Sequence, residues 1–340
     1  MMLRTLLGIL LVAAAACKPA VRRPDPASLV PAAAPAPAAA TEPATAPRAC
    51  DPCPEPEKVS ATIDNGWITV ALTLPAQPSG PLPVVISPIV PDADLLDRGF
   101  GVVRFHTNWE LLRGFKKASE ASGSSAGLED TTNLPVRDED SHTVGSWLLA
   151  APRPGIVGRA YFEIISTDAE HSIPRVIDWI LENPRVDPQR IAITGSSTSG
   201  FTALQAMAHD PRIAVGVVRV ACGDYLTFLR SSSLALNDDP RWLPNGKLEL
   251  DPDYAVEIAA REPIRNANRY PPRPLLLLAG ELDRAIPYAC VENTVTRFRA
   301  AYEARGVPDH FRFVPYSGQG HNLAGVDGEV LGWLERWLKP

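Results

Sequence analysis

From residue 81 onward the chain repeatedly exchanges two hydrophobic periods, and this exchange restricts its fold more than any other feature. The runs "PLPVVISPIV", "GFGVVRFHTNW", "RIAIT", "IAVGVVRVA", "RPLLLLAG" and "HFRFVPY" are short and largely apolar. Runs of that kind suit strands covered on both faces. Between them lie segments with helical spacing. "HSIPRVIDWILEN" places Ile173, Val176, Ile177, Ile180 and Leu181 on one helical face, with Pro174 tolerated in the first turn. "TSGFTALQAMAHD" reads as a helix that stops before Pro211, and "CVENTVTRFRAAYEARG" as one ending at Gly306. "EVLGWLERWL" reads as a terminal helix. Strands alternating with helices specify an α/β domain with a mostly parallel central sheet and helices on both faces.

Upstream, "VSATIDNGWITVALTLP" contains two alternating runs around Asn65-Gly66, the signature of a hairpin. It is expected to add antiparallel strands at one edge of the sheet. Residues 108–145 are rich in Ser, Gly and Asp and read as a long loop or insertion. Residues 224–268 interrupt the alternation with Trp242, Tyr254 and several prolines, and are expected to form a small inserted cap over the sheet edge. The domain is thus expected to span 58–340.

The first 57 residues read differently. "MMLRTLLGILLVAAAAC" has Arg4, an apolar core at 5–12 and small residues from Ala13 to Ala16, as in a cleaved export signal covering 1–16. The apolar core is too short for a standard membrane span. The stretch resembles a bacterial lipoprotein signal, with Ala14 where that pattern commonly has Leu. The resemblance implies lipid attachment at Cys17 and a membrane-anchored, extracytoplasmic chain; ordinary secretion is the alternative. Pro and Ala dominate residues 17–57. Proline removes backbone donors and fixes φ, so this stretch is expected to be an extended tether.

With a formal net charge of -6 among its 340 residues, the chain offers no basic surface for nucleic acid. It has no H-E-x-x-H or comparable ligand cluster, so neither a metal nor another cofactor is expected. Cys50 and Cys53 form C-x-x-C inside the tether, where Pro-rich flanks forbid the helix a redox motif opens and no further zinc ligands stand nearby. A small disulfide and two free thiols both remain open there. Cys222 and Cys290 each follow an expected strand; they could pair, or serve as two buried small hydrophobes.

The chemistry concentrates in "IAITGSSTSGFTAL", residues 191–204. Ligands bind open parallel sheets beyond the carboxyl ends of strands, and these serines stand at such an end. A nucleophile on a sharp strand-to-helix turn needs small residues two before and two after it. Ser196 has Thr194 two before, and Ser199 has Phe201 two after. Only Ser197 is flanked by small residues on both sides, Gly195 and Ser199.

A serine hydroxyl needs an imidazole to take its proton, and the imidazole needs a carboxylate to hold its tautomer. "PLLLLAGELDRAIP" places Asp283 just past a buried strand, and "FRFVPYSGQGHNL" places His321 in a Gly-rich loop after the next. With its elbow, Gly280-x-x-Asp283 turn and Gly318-x-Gly320-His321 loop in that order, the chain resembles the α/β-hydrolase superfamily, in particular its prolyl-oligopeptidase-like and dienelactone-hydrolase-like branch. Ser199 replaces the second Gly of the usual G-x-S-x-G. The resemblance implies an α/β-hydrolase fold and a triad of Ser197, Asp283 and His321, with Asp224 as a competing acid. It also implies an oxyanion hole built from the N–H of Thr198 and one after the "PLPVVIS" strand. Pro88 lacks an N–H, which leaves Ile89 or Val90. The implied activity is that of a serine esterase acting on a small-molecule ester. A peptidase or amidase, or a non-catalytic binding lipoprotein, are the alternatives.

Overall fold

The computed structural model describes residues 55–76, 80–108, 162, 164–232 and 252–339, with the side chains of 252–255 left out. The expected export signal, Cys17, the expected tether as far as residue 54 (with Cys50 and Cys53), and Trp242 lie outside the described residues, whereas Glu57, the last residue of the expected tether, already belongs to the first strand.

Strands β1 (Glu57–Ile63) and β2 (Ile68–Leu74) form the expected hairpin, antiparallel, with Ile63 opposite Ile68. Its turn, Asp64–Gly66, has left-handed backbone at all three residues (φ 55°, 56° and 95°). Along β2, Ile68, Val70, Leu72 and Leu74 are buried while the residues between them are not, so only one face of this outer strand is covered.

The remaining strands are β3 (Leu82–Ile86), β4 (Gly101–Thr107), β5 (Val186–Ser196), β6 (Ile213–Arg219), β7 (Leu275–Gly280) and β8 (Phe311–Tyr316). Among the described residues they form one eight-stranded sheet in the order β1-β2-β4-β3-β5-β6-β7-β8. From β4 through β8 every pairing is parallel. The apolar runs separate by parity, as strands covered on both sides must. Val84, Val218, Leu275 and Leu277 join one core, and Val85, Val217, Leu276 and Leu278 join the other.

Helices fill both sides. α1 is Asp92–Asp97, and α2 (Ile173–Ile180) follows a π-helical turn at Asp168–Ser172. α3 is Thr198–His209, α4 Tyr225–Ser231 and α5 Pro252–Arg261. α6 is Tyr288–Ala304 and α7 Asp327–Leu338. α2, α3, α4 and α6 cover one face, whereas Leu95 of α1 and Val330, Trp333, Leu334 and Leu338 of α7 cover the other. This is the α/β-hydrolase fold.

Three local features depart from the sequence expectation. β5 begins at Val186, several residues before "RIAIT", because Pro188 sits at a register shift between the Leu82 and Val84 pairings, where a missing N–H is tolerated. α1 was not expected, since a six-residue helix burying only Leu95 has no readable period. The segment read as a cap opens with α4, whose Tyr225, Phe228 and Leu229 are part of the main core. Asp224 caps this helix, accepting from the Thr227 N–H at 2.9 Å. Phe162 and Phe201 pack against it, with the Phe162 and Tyr225 rings 4.5 Å apart. Residues 233–251 of that segment, and 109–145 of the expected loop, lie outside the described residues.

Candidate active site

β5 ends at Ser196 and α3 begins at Thr198, so Ser197 alone makes the corner. Its backbone is left-handed (φ 56°, ψ -121°), a conformation costing about 1–3 kcal/mol for a non-glycine residue. The surrounding bonds hold it there. The Ser197 N–H donates to the Arg219 carbonyl at 3.0 Å, and its own carbonyl accepts from the N–H groups of Gly200 (2.9 Å) and Phe201 (3.1 Å).

The small residues around it are explained by contact. A Cβ on Gly195 would lie 2.1 Å from the Ser199 carbonyl oxygen. A Cβ on Gly200 would lie 2.8 Å from the Ala221 Cβ. Ser199 needs no such vacancy, because its hydroxyl turns back onto the elbow. Oγ accepts from the Ser196 N–H and donates to the Ser196 carbonyl, both at 2.9 Å. The departure from the usual glycine is therefore a substitution the turn can use.

Asp283 lies beyond the end of β7, 6% exposed. Oδ1 accepts from the N–H groups of Ala285 (2.8 Å) and Ile286 (2.9 Å), which fixes the carboxylate plane. Oδ2 lies 2.8 Å from His321 Nδ1, and His321 Nε2 lies 3.0 Å from Ser197 Oγ. The three side chains thus form one continuous chain of hydrogen bonds. Both loops that deliver them are joined: the Leu282 N–H donates to the Gln319 carbonyl at 2.9 Å, and the Glu281 N–H to the Tyr316 carbonyl at 3.2 Å. Gly280 permits this crossing, since a Cβ there would lie 2.3 Å from the Gly320 carbonyl oxygen.

Asp224, the competing acid, is engaged elsewhere. Besides capping α4 it accepts from Asn293 Nδ2 at 2.7 Å. Cys222 and Cys290 are joined in a disulfide with Cα atoms 5.8 Å apart, linking the end of β6 to the first turn of α6. That turn closes the loop carrying Asp283.

Thr198 opens α3, so its N–H belongs to the helix N-terminal end, where donors point outward. Ile89 follows β3 through a tight corner at Ser87 (φ 53°), whose carbonyl accepts from Thr194 Oγ1 at 2.7 Å. β3 and β5 are neighbours, so Ile89 and Thr198 each follow one of two adjacent strands at the carboxyl edge of the sheet. Two features here had no sequence signal: the Ser87 corner, and the contact of Arg219 Nε with Ser196 Oγ at 3.0 Å. Among the described residues no group of acids, histidines and cysteines could hold a metal ion.

The Prolyl oligopeptidase family profile matches residues 171–339, which contain all three members of the Ser–His–Asp chain. The protein YtaP of Bacillus subtilis is 28% identical over 163 residues, covering 48% of this chain and 50% of its own length. Dipeptidyl-peptidase 5 of Porphyromonas gingivalis is 27% identical over 223 residues, covering 61% of this chain and 30% of its own. The chain thus spans half or less of these curated relatives. Among solved structures, a Mycobacterium tuberculosis puromycin-hydrolyzing peptidase superposes with a TM-score of 0.52 at 19% identity, over 84% of this chain and 40% of that one. The acylaminoacyl peptidase of Pyrococcus horikoshii gives 0.52 at 14% identity, over 83% and 40%. At these identities the structural likeness speaks for the fold.

Proposed function

We propose that this α/β-hydrolase-fold chain, similar over residues 171–339 to the Prolyl oligopeptidase family, is a serine hydrolase that cleaves acyl bonds through an acyl-enzyme on Ser197. One observation carries the reading: Ser197 Oγ, His321 and Asp283 lie in a single hydrogen-bonded line at the carboxyl edge of the sheet. In this mechanism His321 Nε2 takes the hydroxyl proton as Ser197 Oγ attacks the carbonyl carbon. Asp283 holds the Nδ1 proton and stabilises the imidazolium. The N–H of Thr198 and that of Ile89 receive the developing oxyanion. His321 then returns the proton to the leaving group, and later activates the water that releases the acyl group.

Peptide and related amide bonds are the substrate class favoured by the names of the relatives, which include a dipeptidyl-peptidase and a puromycin-hydrolyzing peptidase. Carboxylic esters are chemically easier and fall within reach of the same machinery. A fluorophosphonate probe tests the core of the proposal. Labelling of the wild type and not of Ser197→Ala supports it; an unlabelled wild type overturns it. Peptide anilides and p-nitrophenyl esters compared on the same preparation rank the two bond types.

We also propose that residues 1–16 are an export signal, that Cys17 carries the lipid, and that the chain from 17 to the start of β1 tethers the domain outside the cytoplasm. The disulfide between Cys222 and Cys290 supports an oxidising compartment. Incorporation of labelled palmitate, lost in Cys17→Ala, is the expected result; equal incorporation by both would overturn this part.

A further inference from the structure

Arg219 ends β6 in register with Ser196, and its carbonyl accepts the Ser197 N–H. No other cationic side chain in the described structure is tied so directly to the elbow. Its neighbours in sequence set its direction. Val215 and Val217 face the core under α1 and α7, so Arg219 continues the same parity, at the edge, half-buried. Ile89 packs on that face too, across the elbow strand from Arg219.

Several arginines of the molecule are matched in place by their own neighbours. Arg190, Arg212, Arg261 and Arg265 each donate to a carboxylate. Arg273, half-buried, donates to four backbone carbonyls. Arg219 does neither among the described residues: Nε meets the neutral Ser196 hydroxyl, and no carboxylate pairs with it. Guanidinium carries five donors in a planar fork suited to a carboxylate, and Nε accounts for one. The N-terminal end of α3, which begins at Thr198, adds partial positive charge on the same side of the turn.

We propose that Arg219 is a subsite for a carboxylate on the substrate, placed beside the carbonyl that Ser197 attacks. This rests on the serine-hydrolase reading above and names the substrate class it lacked: acyl compounds with an anionic group close to the scissile bond. The chain's net charge of -6 opposes anions at long range, so selection must come from short-range contact of this kind. The Ser196 contact then holds Nε in place and aims the terminal nitrogens.

The test uses two substrate pairs that differ in one charge. They are the 4-nitrophenyl esters of N-acetyl-glutamate and N-acetyl-glutamine, and those of succinate and butyrate. In the wild type, kcat/KM is expected to favour the anionic member of at least one pair by about tenfold or more. Arg219→Gln should bring that ratio close to one, and Arg219→Lys should restore part of it. An uncharged fluorophosphonate reads the elbow separately. Absence of preference in both wild-type pairs overturns the proposal, as does a ratio unchanged in Arg219→Gln. Parallel loss of labelling and of both substrates at constant ratio also overturns it, because Arg219 would then only brace Ser196. A wild type that the probe never labels identifies the failure as that of the serine-hydrolase reading instead.

Discussion

Ser197 is held in a conformation that few side chains adopt, and three backbone hydrogen bonds to its neighbours on the sheet and helix keep it there. Its hydroxyl, the imidazole of His321 and the carboxylate of Asp283 act as a unit, so their losses should not add. Ser197→Ala is expected to abolish fluorophosphonate labelling and to lower kcat by at least about 10⁴-fold. Asp283→Asn should lower kcat to a similar degree with little change in folding, because the amide presents the wrong partner to His321 Nδ1; steady-state kinetics alongside a thermal melt would check both halves. The glycines of the site are equally specific. Gly280→Ala places a methyl 2.3 Å from the Gly320 carbonyl oxygen, so the histidine loop must move. Hydrolysis and Tm should fall together in that variant, with labelling as the readout for the displaced imidazole.

At the scale of elements, the elbow works because β5, α3 and β6 are joined at one point. Ser199 closes two hydrogen bonds onto Ser196, and Arg219 adds a third. Ser199→Ala should cost about 1–2 kcal/mol of stability in urea unfolding, the ordinary worth of such bonds. The other joint is the disulfide between the end of β6 and the start of α6. It closes a separation of 68 residues, for which chain entropy gives about 4 kcal/mol as an upper figure. The double variant Cys222→Ser with Cys290→Ser should therefore melt well below the wild type, with activity lost on heating before it is lost at room temperature.

For the molecule as a whole, stability against pH reflects carboxyls that the fold treats in opposite ways. Burial raises Asp168 from its ordinary value of 3.8 to about 6, outweighing the bonds it receives from Thr107 and Ser172. Burial also pulls on Asp210, but the Arg212 guanidinium prevails and holds that carboxyl below its usual range. The signs differ accordingly. Folded Asp168 binds its proton more tightly than the unfolded chain does, so its contribution is lost as pH rises from about 4 to about 6. Asp210 contributes above its unfolded value and loses that contribution on acidification. Asp168→Asn should thus stabilise the protein above pH 7 by up to about 3 kcal/mol relative to wild type, with the gain vanishing near pH 4. Urea unfolding of both proteins across that range would measure it; a constant difference would contradict the assignment to titration of Asp168.

Periodicity and local turn chemistry are properties of neighbouring residues, and these the sequence determined by itself. They include the buried parallel strands, the edge hairpin at Asn65-Gly66, the helices from Ile173 onward, and the elbow frame that singles out Ser197. The order of Ser197, Asp283 and His321 was legible for the same reason, since each follows its own apolar run. Contacts between distant segments were decided only by tertiary structure. No local pattern says that the Ser199 hydroxyl folds back on Ser196, that Asp224 serves Thr227 and Asn293, or that Cys222 meets Cys290. Nor does any pattern place a guanidinium from β6 beside the elbow of β5. Those outcomes depend on how eight strands are ordered across a sheet, which is a property of the packed chain rather than of any stretch of it.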